Sequence, residues 1–324
     1  MSEIRIAVIG ANSLDIDHRN ALNALSDQGR IAVYAMDIES LAEGREALSR
    51  AVDLKAIDAA IIAGSRSELP EWIGFALQAG WPVYTPFAAP NTVEEMVAIR
   101  RAEQQSAPAI LQFGLNVRHH ASVTAAMSKA ESGEYGQLLT MRGVCGLSGT
   151  PEGEQLMFGP AAQMIDLMQL FAGPFQDVTG FADLQRTAEP GSETNVIASL
   201  RTHSGVLATL HASSTQWRPT FRLELGFERG YLWLEGLNSE QYGFGTEILV
   251  HARPDGSGAQ HETVDQFEDS DGVKTALDHF LARIATPANP AVGTSQDAFD
   301  ALNTIQRILA ADPIYAPVQE RQVS

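Results

Sequence analysis

The first 113 residues alternate short apolar runs with longer stretches of helical periodicity, and that alternation leaves few folds open. The runs are Ile4–Ile9, Ile31–Met36, Ala59–Ala63, Pro82–Thr85 and Ala109–Phe113. Each is too short for a helix, and most are β-branched or apolar throughout, as strands buried on both faces are. Asp17–Asp27, Ile38–Ser49, Leu69–Ala79 and Thr92–Gln105 lie between them and read as helices. Thr92-Val-Glu-Glu opens the last with an N-cap and an acidic first turn. Strict alternation with short loops requires a parallel sheet joined by right-handed crossovers. The expected first domain, residues 1–117, is a doubly wound α/β sheet suited to a dinucleotide.

The pattern then changes. A helix over His120–Ser132 ends at Gly133, Gln137–Gly146 reads as a strand, and Pro160–Ala172 is a helix with Met164, Leu167, Met168 and Phe171 on its apolar side. Strand-like runs follow at Asp177–Leu184, Asn195–Leu200, Val206–Ser213, Phe221–Phe227, Tyr231–Glu235 and Glu247–His251. Turns such as His203-Ser204-Gly205 and Glu228-Arg229-Gly230 between such runs predict a large, mostly antiparallel sheet. Helices Val273–Ala285 and Ser295–Ala311 close the chain, and Pro254–Gly258 and Pro287–Pro290 read as loops. Residues 118–324 are thus expected to form a second α/β domain.

Composition excludes several classes of function. The single Cys145 permits no internal disulfide framework and no multi-cysteine metal site, and no metal is expected. The 22 Lys+Arg against 40 Asp+Glu give a net charge of −18, which opposes nucleic-acid binding. Lysine occurs only as Lys55, Lys129 and Lys274. No stretch approaches the roughly 18 uncharged apolar residues that span a bilayer, and the N-terminus lacks a signal-peptide layout. A cytoplasmic protein is expected.

The first strand runs into Gly10-Ala11-Asn12-Ser13-Leu14-Asp15, where a G-x-G-x-x-G loop would sit, with only the first glycine present. Asn12 partly substitutes, since asparagine tolerates a left-handed backbone. Asp15 and Asp17 stand at the helix N-terminus, either as ordinary first-turn acids or as carboxylates beside a pyrophosphate. Asp37 ends the second strand, where an acid hydrogen-bonds the adenine ribose, or else caps the next helix. A carboxylate there favours NAD over NADP. Gly10, Ala11, Asn12, Ser13 and Asp37, with Ser65 after the third strand, are the cofactor-side candidates.

These residues resemble the Gfo/Idh/MocA family of NAD(P)-dependent oxidoreductases. Ile4-Arg-Ile-Ala-Val-Ile-Gly10 with His18 is similar to the family's opening, and Ala76-Leu-Gln-Ala-Gly-Trp-Pro-Val-Tyr84 to its fourth helix and strand. Leu111-Gln-Phe-Gly-Leu-Asn-Val-Arg118 resembles its domain junction and Glu131-Ser-Gly-Glu-Tyr-Gly136 the turn that follows. Asp166-Leu-Met-Gln-Leu-Phe-Ala-Gly173 resembles the helix lining its active site; Ala208–Ser213 and Arg229-Gly-Tyr-Leu-Trp-Leu234 match its sheet. The resemblance implies a Rossmann domain plus an α/β domain with an open sheet. It further implies a sugar, polyol or similar alcohol or carbonyl substrate, and a homodimer or higher homo-oligomer built through that sheet. The chain departs from the family at its chemistry. The usual Glu-Lys-Pro falls on Pro86, Phe87 and Ala88, and an Asp and a His four residues apart fall on Gly159 and Gln163, leaving Asp166.

Alcohol oxidation by hydride transfer releases a proton that some group must accept. Phe87 has no ionisable group, and Gln163 only hydrogen-bonds. The acid/base candidates are Asp166, His119, His120 and Tyr84, with His211 in the sheet. Each has a plainer alternative: a helix ion pair for Asp166, surface placement for one of the histidines, space-filling for Tyr84. On the substrate side stand Arg118, which can clamp a carboxylate or a hydroxyl-rich ligand, Gln163 and Asp166 on one helix face, and Trp217 beside Arg218 in a loop after a strand. Three readings remain open: a sugar or polyol oxidoreductase with a non-standard catalytic set, a lyase or isomerase on the same scaffold, and a non-catalytic ligand-binding homologue.

Overall fold

The structure is a computed structural model that describes residues 3–36, 56–149, 155–183, 193–254, 258 and 260–312. Asp37 and the expected helix over Ile38–Ser49 lie outside the described residues. The chain divides into two compact units, Met1–Leu115 with Val273–Phe299, and Asn116–Gly272 with Asp300–Ser324.

In the first unit, β1 (Ile4–Ile9), β2 (Ile31–Met36), β3 (Ala59–Ile62), β4 (Val83–Thr85) and β5 (Leu111–Phe113) form a sheet of order β2-β1-β3-β4-β5. Every pairing is parallel. The described helices between them are α1 (Ile16–Asp27), α2 (Leu69–Gln78) and α3 (Val93–Gln105). β1 and β3 are interior, and Ala7, Val8, Ile9, Ile61 and Ile62 are buried on both faces. β2 departs from that expectation: as the edge strand it leaves Val33 and Tyr34 exposed. α3 begins as its sequence predicts. Thr92 Oγ1 accepts the Glu95 N–H at 3.1 Å while Glu95 Oε2 accepts the Thr92 N–H at 3.1 Å, a reciprocal cap that stabilises the helix by about 1 kcal/mol.

In the second unit, α4 (Ala121–Glu131) precedes β6 (Leu138–Ser148) and α5 (Pro160–Ala172). β7 (Phe175–Ala182), β8 (Asn195–Thr202), β9 (Leu207–Ser213), β10 (Thr215–Phe227), β11 (Gly230–Glu235), β12 (Glu247–Pro254) and β13 (Gln260–Phe267) follow. The sheet order is β13-β12-β11-β10-β6-β9-β8-β7, and only β6 and β9 pair in parallel. Met141, Leu210, Leu223 and Leu232 point to the covered face. There α5 approaches so closely that a Cβ on Gly143 would stand 2.9 Å from the Met168 sulfur. Thr209, Arg142, Glu224 and Trp233 share a register row on the opposite face.

Two strands of the second unit also differ from the sequence reading. β10 starts at Thr215, so Trp217 and Arg218 lie within a strand, at a register shift between Thr215 and Thr220, instead of in a loop. β13 is an edge strand whose run His261-Glu-Thr-Val-Asp-Gln-Phe267 carries polar side chains on both faces, which hides it from a search for apolar alternation.

The closing helices are α6 (Gly272–Ala285) and α7 (Ser295–Ala310). α6 returns to the first unit, where Leu277, Phe280 and Leu281 share one core with Ile6, Val8, Leu22, Leu25, Ile31 and Ile61. Among the described residues, no helix is long and apolar enough to cross a membrane.

Candidate functional site

In a sheet of this order, β1 and β3 lead to opposite sides, and ligands bind beyond the carboxyl ends of strands at such a switch point. Gly10 closes β1 there in a left-handed conformation, φ +80°, and a Cβ added to it would stand 2.5 Å from the Gly64 nitrogen. Only glycine permits this approach of the β1 and β3 ends. Ala11–Ser13 then form a single tight turn. Ser65, next to Gly64, belongs to a local cap: its N–H and its hydroxyl both donate to Glu68 Oε2, at 2.9 and 2.6 Å. The glycine turn suits a dinucleotide. At the end of β4, the fully buried Thr85 Oγ1 has no hydrogen-bond partner among the described residues.

Helix α1 suits a phosphate less well. Asp15 is its N-cap, and its carboxylate accepts the His18 N–H at 2.8 Å. The same carboxylate meets His18 Nδ1 at 2.7 Å, and His18 Nε2 meets the Tyr84 hydroxyl at 3.0 Å. Burial pushes the Asp15 pKa up, but the His18 hydrogen bonds and charge outweigh it and hold the carboxyl below its ordinary value. Of the two readings of Asp15, the structure supports the cap. Tyr84 is wholly buried, its ring tilted against His18 and Phe280. Phe87, the residue at the family's lysine position, carries the Arg66 guanidinium over its ring, 4.8 Å from the centroid.

The second unit gathers its candidates on a short turn, Asn116–His119, and on α5. Arg118 Nε donates to Asp166 Oδ2 at 2.7 Å and Nη2 to Oδ1 at 2.5 Å, a bidentate pair with both side chains buried. The arginine expected to clamp a ligand's carboxylate thus clamps this one. Gln163 Oε1 accepts the Val117 N–H at 3.4 Å, so the turn is fixed to α5 at two points three residues apart. His119 is half-buried on that turn.

His120 is buried and engaged elsewhere. Its Nδ1 lies 2.7 Å from Glu247 Oε2, and Glu247 Oε1 accepts the Ser122 N–H at 2.7 Å. Ser270 Oγ accepts the Ala121 N–H at 3.0 Å and reaches His120 Nδ1 at 3.3 Å. A Cβ on Gly272 would stand 2.5 Å from His120 Nε2, so the ring lies directly on that backbone. Glu247 and Ser270 escape sequence reasoning because they are 127 and 150 residues from His120 and belong to no spacing pattern. Burial pushes the Glu247 pKa up, and the His120 and Ser122 hydrogen bonds pull it further down, below its ordinary value.

Trp217 stands fully exposed on β10, and His211 lies on β9 opposite Val144 and Ile197. A depression of about 350 Å³ on the sheet is lined by Thr140, Arg142, Glu224, Gly226, Tyr231 and Trp233, none of them a candidate. Among the described residues, no group of three or more His, Cys, Asp or Glu side chains is placed to hold a metal ion.

Residues 123–233 match the family model of the GFO/IDH/MocA C-terminal domain. That match lies within the second unit and marks a likeness to the GFO/IDH/MocA family there. Solved structures extend a likeness in fold to almost the whole chain. UDP-N-acetylglucosamine 3-dehydrogenase from Acidithiobacillus ferrooxidans is 19% identical, with 97% of this chain and 99% of that one covered and a TM-score of 0.77. A 3-ketoreductase from Actinomadura kijaniata, in complex with TDP-benzene and NADP, is 18% identical over 96% of this chain and 98% of that one, with a TM-score of 0.73. Levoglucosan dehydrogenase in complex with NADH and L-sorbose is 15% identical over 98% of each chain, with a TM-score of 0.76. No curated protein matches the sequence.

Proposed function

We propose that this protein is a member of the GFO/IDH/MocA family and a cytoplasmic, NAD-dependent oxidoreductase of a sugar, polyol or similar small alcohol or carbonyl compound. The observation that carries the reading is the Gly10 turn closed on Gly64 at the switch point of a parallel sheet. Gly10, Ala11, Asn12, Ser13 and Ser65 would hold the cofactor, and Asp37 would favour NAD over NADP by repelling a 2′-phosphate. When bound, the nicotinamide supplies hydride transfer. On the substrate side, the Arg118–Asp166 pair fixes the turn that carries His119, Gln163 orients a hydroxyl, and Trp217 offers a ring face. His119 accepts the hydroxyl proton, because it is the one half-buried group among the four acid/base candidates, whereas Asp166, His120 and Tyr84 are buried. The chemistry is non-standard for the family, with Phe87 and Gln163 in place of its lysine and histidine. The open face of the eight-stranded sheet would serve a homodimer.

A second reading, a ligand-binding homologue without turnover, draws on that same burial of three candidates. One assay separates the two. Purified protein with NAD and a panel of sugars, polyols and nucleotide sugars should produce NADH on at least one member, slowly on ordinary polyols. His119→Gln should lower that rate by about 10²–10⁴-fold. NADH binding with no turnover on any member would favour the second reading, and tighter binding of NADP would remove the role given to Asp37.

A further inference from the structure

We infer that Arg283, buried in the first unit, holds a small monovalent anion. The inference is independent of the oxidoreductase reading. Arg283 lies in the last turn of α6 and is 8% exposed. Its Nε and Nη1 have no hydrogen-bond partner among the described residues. A guanidinium carries five N–H donors and stays charged at every physiological pH. A charge taken out of water is tolerated where an opposite charge, or a set of acceptors, replaces that water.

The groups that could do so are engaged elsewhere. An arginine in a last turn ordinarily bonds the helix's free carbonyls. Here the Ala282 carbonyl accepts the Thr286 N–H at 2.9 Å and the Asn289 side-chain amide at 3.3 Å. His279, one turn earlier on α6, has its ring nitrogens on Gln112 Oε1 at 3.2 Å and the Pro290 carbonyl at 3.0 Å. Glu103 on α3 acts on Arg283 through its charge alone, since its carboxylate accepts the Ser295 hydroxyl at 2.5 Å. Burial therefore holds the Arg283 pKa below the ordinary guanidinium range, and the Glu103 charge opposes that shift without cancelling it. Charge then selects the ligand. Glu103 and a net charge of −18 disfavour a dianion such as sulfate or phosphate. A single negative charge matches the one guanidinium. A compact ion that carries no N–H or O–H accepts from Arg283 and needs no acceptor in return.

Urea denaturation of the intact chain, in sodium chloride and in sodium isethionate at equal ionic strength, tests this with chloride as the probe. Both salts screen the surface acids alike, and isethionate is the bulkier anion. Raising chloride from about 1 to about 100 mM should favour the folded state about tenfold more than isethionate does, the effect of one site with a Kd of about 10 mM. Arg283→Met, which keeps an apolar stem and removes the charge, should abolish that difference. Arg283→Lys, which keeps the charge, should retain part of it. Bromide-soaked crystals of the wild-type protein give a second readout, an anomalous peak against Arg283. Equal stability in the two salts overturns the inference. So does a chloride response that survives in Arg283→Met, which places the ion elsewhere. Should Arg283→Met fail to fold, the bromide map decides, and ordered water alone beside the guanidinium overturns the site. NADH binding enters none of these measurements, so the oxidoreductase reading stands or falls separately.

Discussion

Each unit fixes the start of a helix with the same device, a carboxylate that accepts both a first-turn backbone N–H and a histidine Nδ1. In the first unit Asp15 serves α1 through His18, three residues away, with its side chain 31% exposed. In the second, Glu247 reaches α4 from strand β12 and meets His120 across 127 residues, with its side chain 0% exposed. The chemistry is shared and the energetics are not. A local cap loses little when broken, because water takes over the freed groups. A buried pair drawn from distant parts of the chain, once broken, leaves polar groups unpaired in a medium that solvates them poorly. Asp15 therefore belongs to an edge where function can be tuned, and Glu247 to the framework that holds the candidate turn.

The largest expected effect follows directly. Glu247→Ala should destabilise the protein by about 3–5 kcal/mol, the range for removing one partner of a buried pair. Asp15→Ala should cost about 1 kcal/mol, as lost N-caps do. Urea denaturation followed by circular dichroism measures both. Equal losses would show that the two carboxylates do the same work and would dissolve the comparison.

Acid gives the next test. Both carboxyls titrate below their ordinary values in the folded state. Each therefore adds stability that is complete above the unfolded carboxyl's pKa and is lost as pH falls through the lowered folded one. For Glu247 the loss begins below about pH 4.5. Glu247→Gln, which has no charge to lose, should flatten the fall in the urea midpoint between about pH 5 and pH 3, whereas Asp15→Asn should flatten it less. An acid limb unaffected by Glu247→Gln would assign the acid loss to other carboxyls.

The same contrast explains what the sequence could disclose. The parallel sheet was legible because its interior strands are apolar on both faces, as in Ala59–Ile62, and the Thr92–Glu95 cap because its partners lie three residues apart. β13 was not legible, since an edge strand such as His261–Phe267 needs no apolar alternation. The return of α6 to the first unit was hidden too, because helical periodicity shows an apolar face without showing what covers it. At the candidate site, Arg118 and Asp166 were legible as residues, whereas their bond to each other was not. The placement of Tyr84 on His18, and of Arg66 on Phe87, rests on side-chain directions that only the folded loops set.

The smallest effect sharpens the comparison most. Asparagine caps a helix about as well as aspartate, and its amide oxygen can still accept the His18 N–H. Asp15→Asn should then change stability by less than about 1 kcal/mol while removing a negative charge from the N-terminus of α1. A charge a few ångströms from a phosphate at a partly exposed site is worth on the order of 1 kcal/mol, so NADH should bind about fivefold more tightly. Glu247→Gln, which removes a charge of the same sign from the interior of the other unit, should leave NADH affinity where it is. Titration of the three proteins under one buffer decides it. If Asp15→Asn binds NADH no better than wild type, Asp15 is a cap alone and the phosphate lies elsewhere on the edge. If both variants tighten binding alike, the gain reflects net charge, and the local carboxylate has no special place in it.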